Sequence, residues 1–142
     1  MNPMREDAVL VDSSVLAYAL GDPDARREPC RKLLKEITSG TGRAYASVEM
    51  FQEVLHHRLR RTRDRSVSVA EVRDAMPMFV LLNFDHEVLE LSLDLVARTL
   101  VRGRDAVHAA TALAYGIETI VSSDPAFDGI PGLRRLDPLA GV

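Results

Sequence analysis

Four stretches of the chain place a carboxylate where one predicted element gives way to the next. Asp12 directly follows an apolar run of strand length, and Asp124 comes shortly after another. Asp105 opens an alanine-rich helical segment, and Glu53 lies one turn after Glu49 in a second helical segment. Because the carboxyl ends of parallel strands meet at one edge of a sheet, Asp12 and Asp124 are expected to project from the same edge.

Several carboxylates at one edge favour a divalent cation. Like charges raise one another's pKa unless a cation neutralises them, and an all-oxygen ligand set suits Mg²⁺ or Mn²⁺. Each acid also has a purely structural explanation. Asp12 and Asp105 could each cap a helix, and Asp124 could form an Asx turn. The two glutamates could equally be solvated helix positions, so convergence in space has to decide.

Other chemistries lack the residues that they need. The lysines, Lys32 and Lys35, fall in one predicted helix, whereas an aspartyl-phosphate enzyme normally has a lysine after a late strand. No Asp-x-Asp motif follows the first strand, no glycine-rich nucleotide-binding motif occurs, and no serine stands in a nucleophile-elbow context. The lone Cys30 allows no internal disulfide, and no Cys/His spacing suggests zinc. A metal-assisted hydrolase remains.

The elements that would position these acids alternate between short strands and longer helices. Continuous apolar runs are typical of strands buried on both faces, and apolar residues at i, i+3 and i+4 mark the helices. The predicted strands cover residues 8–11, 43–46, 80–84, 117–122 and 133–136. The predicted helices cover 13–20, 24–38, 47–62, 65–76, 85 to a stop at Gly103, and 105–115. This order predicts one α/β domain over residues 1–142, with a central, mostly parallel sheet between helices in three layers.

The composition also bears on the charge of the protein and on its expected location in the cell. The net charge of −3 by itself argues against a coat for nonspecific nucleic-acid binding, yet all but two of the 18 cations are arginines, which suit phosphate. No apolar run approaches the about 20 residues of a membrane span. The first seven residues carry both charge signs without an apolar segment, so we expect a cytoplasmic protein with no membrane contact.

Four segments share the order and spacing of one nuclease family's motifs. Residues 9–16 (VLVDSSVL) match its opening strand, acid and small hydroxyl residue, and Ser47 with residues 52–55 (QEVL) matches its acidic helix, which favours Glu53 over Glu49. Residues 104–112 (RDAVHAATA) are the most specific match, and residues 120–128 (IVSSDPAFD) match the last strand and acid. Over almost its whole length the chain resembles the PIN-domain ribonucleases, and specifically the VapC-type toxins of type II toxin–antitoxin pairs.

The resemblance implies hydrolysis of RNA by a water activated on Mg²⁺ or Mn²⁺. It implies catalytic roles for Asp12, Glu53, Asp105 and Asp124, with the three aspartates holding the metal, mostly through waters. The predicted substrate contacts are Ser13, Ser122, Arg58, Arg61 and Arg104. Contributions from Asp128, Glu49 and His108 stay open, and a lone histidine such as His108 is more often a packing or outer-shell residue than a base.

The resemblance also implies an RNA-facing basic surface and protein partners. Five arginines between residues 58 and 65 either contact RNA or complement a helix dipole. The family forms homodimers and is blocked by a small antitoxin, whose helix the apolar residues between Met50 and Phe79 could receive. Met76, Met78 and Phe79 fit the core better.

Two other functions stay open at the level of sequence. One is a PIN-domain nuclease that acts in RNA processing or repair without a toxin role. The other is a catalytically silent RNA- or protein-binding module whose acids are only caps and turns.

Overall fold

Five short strands form the central sheet of the computed structural model, which describes residues 8–40 and 43–140. The strands are β1 (Ala8–Val11), β2 (Arg43–Ser47), β3 (Val80–Leu82), β4 (Thr119–Val121) and β5 (Arg134–Leu136). Their order is β3-β2-β1-β4-β5, and every neighbouring pair is parallel. The predicted parallel sheet is confirmed, with the fifth strand at an edge.

Within these described ranges, six α-helices cover both faces of the sheet. They are α1 (Ser13–Leu20), α2 (Arg27–Ser39), α3 (Val48–Thr62), α4 (Arg65–Ala75), α5 (His86–Arg98) and α6 (Gly103–Ala114). One hydrophobic cluster packs α5 and α6 on one sheet face, and a second packs the other four helices on the opposite face. The expected three-layer α/β architecture is therefore confirmed.

The continuous apolar runs of the sequence are explained by these two helix layers. Leu10 and Ile120 belong to the cluster with α5 and α6, whereas their neighbours Val11 and Val121 belong to the opposite cluster. All four side chains are excluded from solvent. Since successive side chains of a strand point to opposite faces, a strand between two helix layers needs apolar residues at every position.

Helix α2 begins at Arg27, three residues later than predicted. Asp24 accepts hydrogen bonds from the backbone and the side chain of Arg26, both at 2.8 Å, and this contact holds a turn before the helix. Pro29 also fixes the start, because a proline lacks the amide hydrogen that an interior helix position must donate. With the helix beginning at Arg27, Pro29 lies in the first turn, where no donor is needed.

Gly103 begins helix α6, although the sequence predicted that it ends the preceding helix. Helix α5 ends earlier because Thr99 closes its last turn, with the amide and the hydroxyl donating to the Leu95 carbonyl at 2.9 and 2.8 Å. Helix α6 then starts two residues before Asp105, with Arg102 at the cap position. Asp105 therefore lies in the first turn, and the capping explanation for this acid is wrong.

Strand β1 lies at the middle of the sheet, between β2 and β4. Strands β2 and β3 lie on one side of β1, and strands β4 and β5 lie on the other. Open α/β sheets bind ligands at the carboxyl edge, in the crevice where the strand order reverses in this way. The Asp12 amide donates to the Val121 carbonyl at 3.0 Å, which extends the pairing of β1 with β4 up to this edge. Asp12 and Asp124 therefore leave the sheet on the same side, as predicted.

No helix in the described part of the chain is long and apolar enough to cross a membrane. The prediction that the first seven residues carry no secretory signal falls outside the described residues, as do positions 41, 42, 141 and 142.

Arg58 lies inside the fold, which corrects its predicted place on an RNA-binding surface. Its side chain is only 6% exposed, and its Nε donates to Glu71 Oε2 at 2.9 Å. The pair joins α3 to α4. An arginine at this depth with a carboxylate partner stabilises the packing of two helices. Its guanidinium cannot contact an RNA phosphate at the surface.

Arg58→Met is expected to lower the free energy of unfolding by about 2–3 kcal/mol, because it leaves the half-buried Glu71 carboxylate without its partner. Arg61→Met, on an exposed position of the same helix, is the matched control and should change stability by no more than about 0.5 kcal/mol. Urea unfolding followed by circular dichroism measures both. Equal stabilities would contradict this role of Arg58.

Candidate active site at the carboxyl edge of the sheet

Asp12 is the most buried of the four candidate acids, with 3% of its surface exposed. Its Oδ2 accepts hydrogen bonds from the hydroxyls of Ser14 and Ser122, both at 2.9 Å. Its Oδ1 is buried and has no hydrogen-bond partner among the described residues. Asp12 occupies the cap position of α1 but its side chain makes no capping hydrogen bond. The capping explanation is therefore wrong for this carboxylate too.

Ser122 and Asp124 extend the site from the end of β4. The fully buried Ser122 hydroxyl donates to Asp12 and accepts from the Asp124 amide at 3.0 Å. This corrects the predicted contact of Ser122 with substrate, because the hydroxyl is closed off from solvent and orients Asp12 instead. Asp124 Oδ1 accepts from the Ala126 amide at 2.9 Å, so the turn explanation holds for one of its two oxygens.

Asp105 carries the electrostatic signature of the cluster, since its pKa is raised to about 6. Burial is the largest cause, and the negative charges of Asp12, Asp124 and Glu53 add to it, while His108 opposes them. Because each of the other three acids affects the Asp105 carboxyl, the four predicted acids share one neighbourhood. The structure thus brings together the residues that the sequence separated by up to 112 positions, from Asp12 to Asp124.

Glu53 is held at both carboxylate oxygens. The Ser13 hydroxyl donates to Oε2 at 2.9 Å, and His108 Nε2 lies 3.2 Å from Oε1. His108 is fully buried, and its Nε2 is also 3.9 Å from Asp12 Oδ1. Neither ring nitrogen makes a well-aligned hydrogen bond to a described residue, so these contacts are electrostatic. His108 therefore lies between the acids of α3 and β1, in the outer-shell position that the sequence favoured.

The charges of Glu53 and His108 reinforce each other. Burial works to raise the pKa of Glu53, but His108, the Ser13 hydroxyl and the charge of Arg104 outweigh it, and the pKa lies below its ordinary value. For His108, burial works to lower the pKa, but Glu53, Asp12 and Asp105 outweigh it, and the pKa is raised. The three carboxylates thus favour the protonated form of His108, in which the ring offsets part of the negative charge of the cluster.

The donor chemistry of the cluster fits a hard divalent cation. It offers carboxylate oxygens, one of which, Asp12 Oδ1, is buried without a partner, and a cation would relieve the repulsion that raises the pKa of Asp105. Within residues 8–40 and 43–140, no three His, Cys, Asp or Glu side chains approach closely enough to form a ready-made coordination shell. Carboxylate oxygens of this kind suit an ion such as Mg²⁺, which keeps several of its waters when it binds to protein.

Asp128 forms an ion pair of its own outside this cluster. Arg135 on β5 donates to its two carboxylate oxygens at 2.7 and 3.1 Å, and this hydrogen bonding lowers the pKa of Asp128. Arg135 also donates to the Ser122 carbonyl at 3.2 Å. The pair therefore braces the loop that carries Ser122 and Asp124.

Two of the predicted substrate contacts, Arg61 and Arg104, are exposed. Arg104 lines a cleft of about 250 Å³ that Ser13 and Glu53 also line. Arg61 lies two turns beyond Glu53 on the same face of α3. The exposed arginines of the basic segment are Arg60, Arg61, Arg63 and Arg65.

Sequence reasoning missed two residues of this region, Ser14 and Tyr18. Ser14 holds Asp12, and Tyr18, one turn later on α1, lines the cleft beside Glu53. A hydroxyl two residues after a strand-end acid, with an aromatic residue one helical turn beyond, was the available signal. Glu49 lies one turn before Glu53 on α3. The contacts with Ser13 and His108 are made by Glu53.

The sequence matches a known family over most of its length. The model of the PIN domain family matches residues 9–133. Ribonuclease VapC7 of Mycobacterium tuberculosis is 37% identical over 134 residues, which cover 92% of this chain and 91% of that protein.

Solved structures share the fold. DNA-bound VapBC from Salmonella typhimurium aligns with a TM-score of 0.72 at 19% identity, over 92% of this chain and 98% of that one. A toxin–antitoxin complex from Klebsiella pneumoniae aligns with a TM-score of 0.70 at 20% identity, over 92% of this chain and 97% of that one. The three-layer α/β fold is therefore the fold of those chains.

Proposed function

The chain belongs to the PIN domain family and, within it, to the VapC ribonucleases, and on this premise we propose that it is a divalent-metal-dependent endoribonuclease acting as the toxin of a toxin–antitoxin pair. The observation that carries the proposal is the gathering of Asp12, Glu53, Asp105 and Asp124 at the carboxyl edge of the sheet. The raised pKa of Asp105 indicates that this arrangement costs stability, which is typical of groups kept together for function.

The three aspartates have distinct parts in the proposed mechanism. Asp12, Asp105 and Asp124 would hold Mg²⁺ or Mn²⁺, which supplies an acidified water and neutralises charge developing on the scissile phosphate. Ser14 and Ser122 fix Oδ2 of Asp12 and leave its Oδ1 available. Asp124 uses one oxygen for its turn and keeps the other. No side chain forms a covalent bond to the RNA in this mechanism.

Glu53 is the residue that we assign to orienting the attacking water. Its carboxylate cannot rotate freely, because Ser13 and His108 hold its two oxygens. Each carboxylate oxygen has a further lone pair beyond these contacts. A fixed acceptor of this kind holds a water in one orientation, which lowers the entropic part of the barrier.

His108→Leu is expected to lower kcat for RNA cleavage by about a hundredfold, whereas His108→Gln should lose no more than about tenfold, in the range reported for outer-shell partners. Leucine keeps the volume but offers no donor, while glutamine places an amide nitrogen near the position of Nε2. The KM for RNA should not change, since His108 is fully buried. Steady-state kinetics with thermal unfolding as a control measures this, and equal losses in both variants would mean that His108 only fills space.

RNA is proposed to approach over Arg104 and Arg61. Arg104 lies next to Asp105 in sequence and close enough to Glu53 to lower its pKa, so it can contact a phosphate beside the scissile bond. Ser13 lines the same cleft and is a second candidate contact. Arg58 has no part in this surface because it is buried against Glu71.

A groove of about 480 Å³ between α1, α2 and α4 is the surface that we assign to an antitoxin helix. Its floor is apolar and its edges carry both charge signs, as an amphipathic helix requires. Met78 lines this groove and is exposed together with Met76, so the preference for core positions is wrong for these two residues and confirmed for Phe79. The apolar residues are Leu16, Leu20, Leu34 and Met78, and the charged ones are Arg31, Lys35, Glu71 and Asp74.

A second copy of the chain is proposed to pack on an exposed apolar stripe of α5. The α5 stripe consists of Leu89, Leu93, Val96 and the adjoining Leu100, all of them exposed. The helix also carries acids towards its start and Arg98 towards its end. Two antiparallel copies would therefore pair opposite charges across an apolar centre, which favours a symmetric homodimer.

Leu93→Glu is expected to convert the protein to a monomer, because it would bury two carboxylates close to the symmetry axis. Glu118→Gln, at an exposed acid outside α5, is the control that should leave the dimer intact. Size-exclusion chromatography with light scattering measures the mass of each. A dimeric Leu93→Glu variant would contradict this interface.

The proposal treats residues 1–142 as one PIN domain that acts in the cytoplasm, where its RNA and its antitoxin are made. Inducible expression in a bacterium should arrest growth and degrade RNA, and co-expression of an antitoxin encoded next to the gene should relieve the arrest. Growth arrest by an Asp124→Asn variant would contradict the enzymatic cause. A chain that cleaves RNA in vitro but neither arrests growth nor responds to the neighbouring gene product would instead be a nuclease of RNA processing.

A further inference from the structure

The cleft of about 250 Å³ beside Glu53 is lined by more residues than the proposed catalytic chemistry uses. Its lining includes Ser13 and Glu53, the groups assigned to the reaction. From there it runs between α1 and α3, past the start of α6, for about one helical turn. The cleft is therefore continuous with the site of phosphate cleavage and extends to one side of it.

The walls of this cleft are apolar and aromatic. Ala17 and Tyr18 of α1, about one turn after Ser14, line the cleft together with Val54 of α3. The Arg26 guanidinium lies over the Tyr18 ring at 4.4 Å from its centroid and donates to its hydroxyl at 3.0 Å. Arg26 thus fixes the orientation of the ring, so little side-chain entropy is lost when a ligand packs against the part of Tyr18 that lines the cleft.

Polar groups occupy the remaining sides of the cleft. His57 follows Glu53 by one turn, and its buried Nδ1 has no hydrogen-bond partner among the described residues. Burial, together with the charges of Arg58, Arg61 and Arg60, lowers the pKa of His57, which favours the neutral ring. Since Nδ1 is buried, Nε2 is the ring nitrogen left for a ligand. Arg104 adds a cation at the other side.

We propose that this cleft is a subsite for one unpaired base of the RNA, next to the scissile phosphate, with the base packed against the Tyr18 side chain and its edge bound by His57. An aromatic platform with a neutral hydrogen-bonding group beside it is the chemistry by which proteins bind single-stranded bases. The cleft has room for one base and not for a stacked pair. The inference rests on the proposed ribonuclease function and adds to it a preference for the identity of one flanking base.

The test compares Tyr18→Leu with Tyr18→Phe on short single-stranded RNAs that carry a mapped cleavage site. Tyr18→Phe keeps the ring and should stay within about twofold of the wild-type kcat/KM, whereas Tyr18→Leu should lose about tenfold, mainly through KM. In a second series, each nucleotide that flanks the cleavage site is replaced in turn by an abasic one. At one position only, the abasic RNA should cost the wild type about tenfold and cost Tyr18→Leu nothing further.

Two results would overturn the subsite while leaving the nuclease in place. One is wild-type kinetics for Tyr18→Leu on RNA that the wild type cleaves, and the other is an equal abasic penalty in both proteins. If the wild type cleaves no RNA with Mg²⁺ or Mn²⁺, the proposed function itself fails. If Tyr18→Leu does not fold, the abasic series on the wild type decides alone, and the absence of one sensitive flanking position contradicts the proposal.

Discussion

Asp12→Asn is expected to reduce RNA cleavage by about a thousandfold or more, which is the scale of losing a principal electrostatic group of an active site. The hydroxyls of Ser14 and Ser122 both donate to Oδ2 of Asp12. An asparagine must keep its carbonyl oxygen at that position, so its amide group replaces Oδ1. The substitution therefore removes a charge and also directs two N–H donors at the place proposed for a cation.

Asp22→Asn is the matched control for this variant. Asp22 lies on the exposed turn after α1, so it has the same chemistry without a place in the cluster. It should cleave RNA at the wild-type rate. Gel-based cleavage assays at saturating metal compare the three proteins, and thermal unfolding checks that each is folded. Asp12→Asn activity close to that of Asp22→Asn would show that the acid cluster is not the catalytic centre.

Asp105→Asn is expected to abolish cleavage and at the same time to stabilise the metal-free protein. The pKa of Asp105 is raised to about 6, mainly by burial and then by neighbouring carboxylates. The folded state therefore binds this proton more tightly than the unfolded state, whose pKa is close to 3.8. The wild type loses stability as the pH rises from about 4 to about 6, and the loss is complete above that range.

The expected gain for Asp105→Asn in chelator at pH 7 is about 1–2 kcal/mol, discounted because the carboxyl is only partly buried and solvent screens its interactions. The gain should disappear near pH 4, where Asp105 is already protonated. Saturating Mn²⁺ should reverse the order, because the ion stabilises only a protein that binds it. Denaturant unfolding at the two pH values measures this, and a variant less stable than the wild type at pH 7 would contradict the repulsion within the cluster.

The sequence predicted the position of the acids because the topology follows from local patterns. Apolar runs ending on Asp12 and near Asp124 indicated buried parallel strands, and strand ends in such a sheet share one edge. The contacts that tune the acids were beyond this kind of reasoning. Ser122 reaches Asp12 across 110 positions of sequence, and His108 reaches Glu53 from another helix, so only the packed fold brings these pairs together.

Arg58 shows how residue type misled the prediction. Met50, Val54 and Arg58 recur every four residues and are all buried on one face of α3. The helical spacing alone would have placed Arg58 inside, but its charge and its arginine neighbours suggested a solvated surface. Its partner Glu71 lies on the next helix, and a buried ion pair cannot be recognised from one member.

The cation requirement is measured by the rate of RNA cleavage by metal-stripped protein as a function of added Mn²⁺. We expect no cleavage above background in chelator and a saturable recovery as Mn²⁺ or Mg²⁺ is returned, with no recovery for Asp12→Asn. Cleavage that continues at the wild-type rate in excess chelator would contradict this requirement.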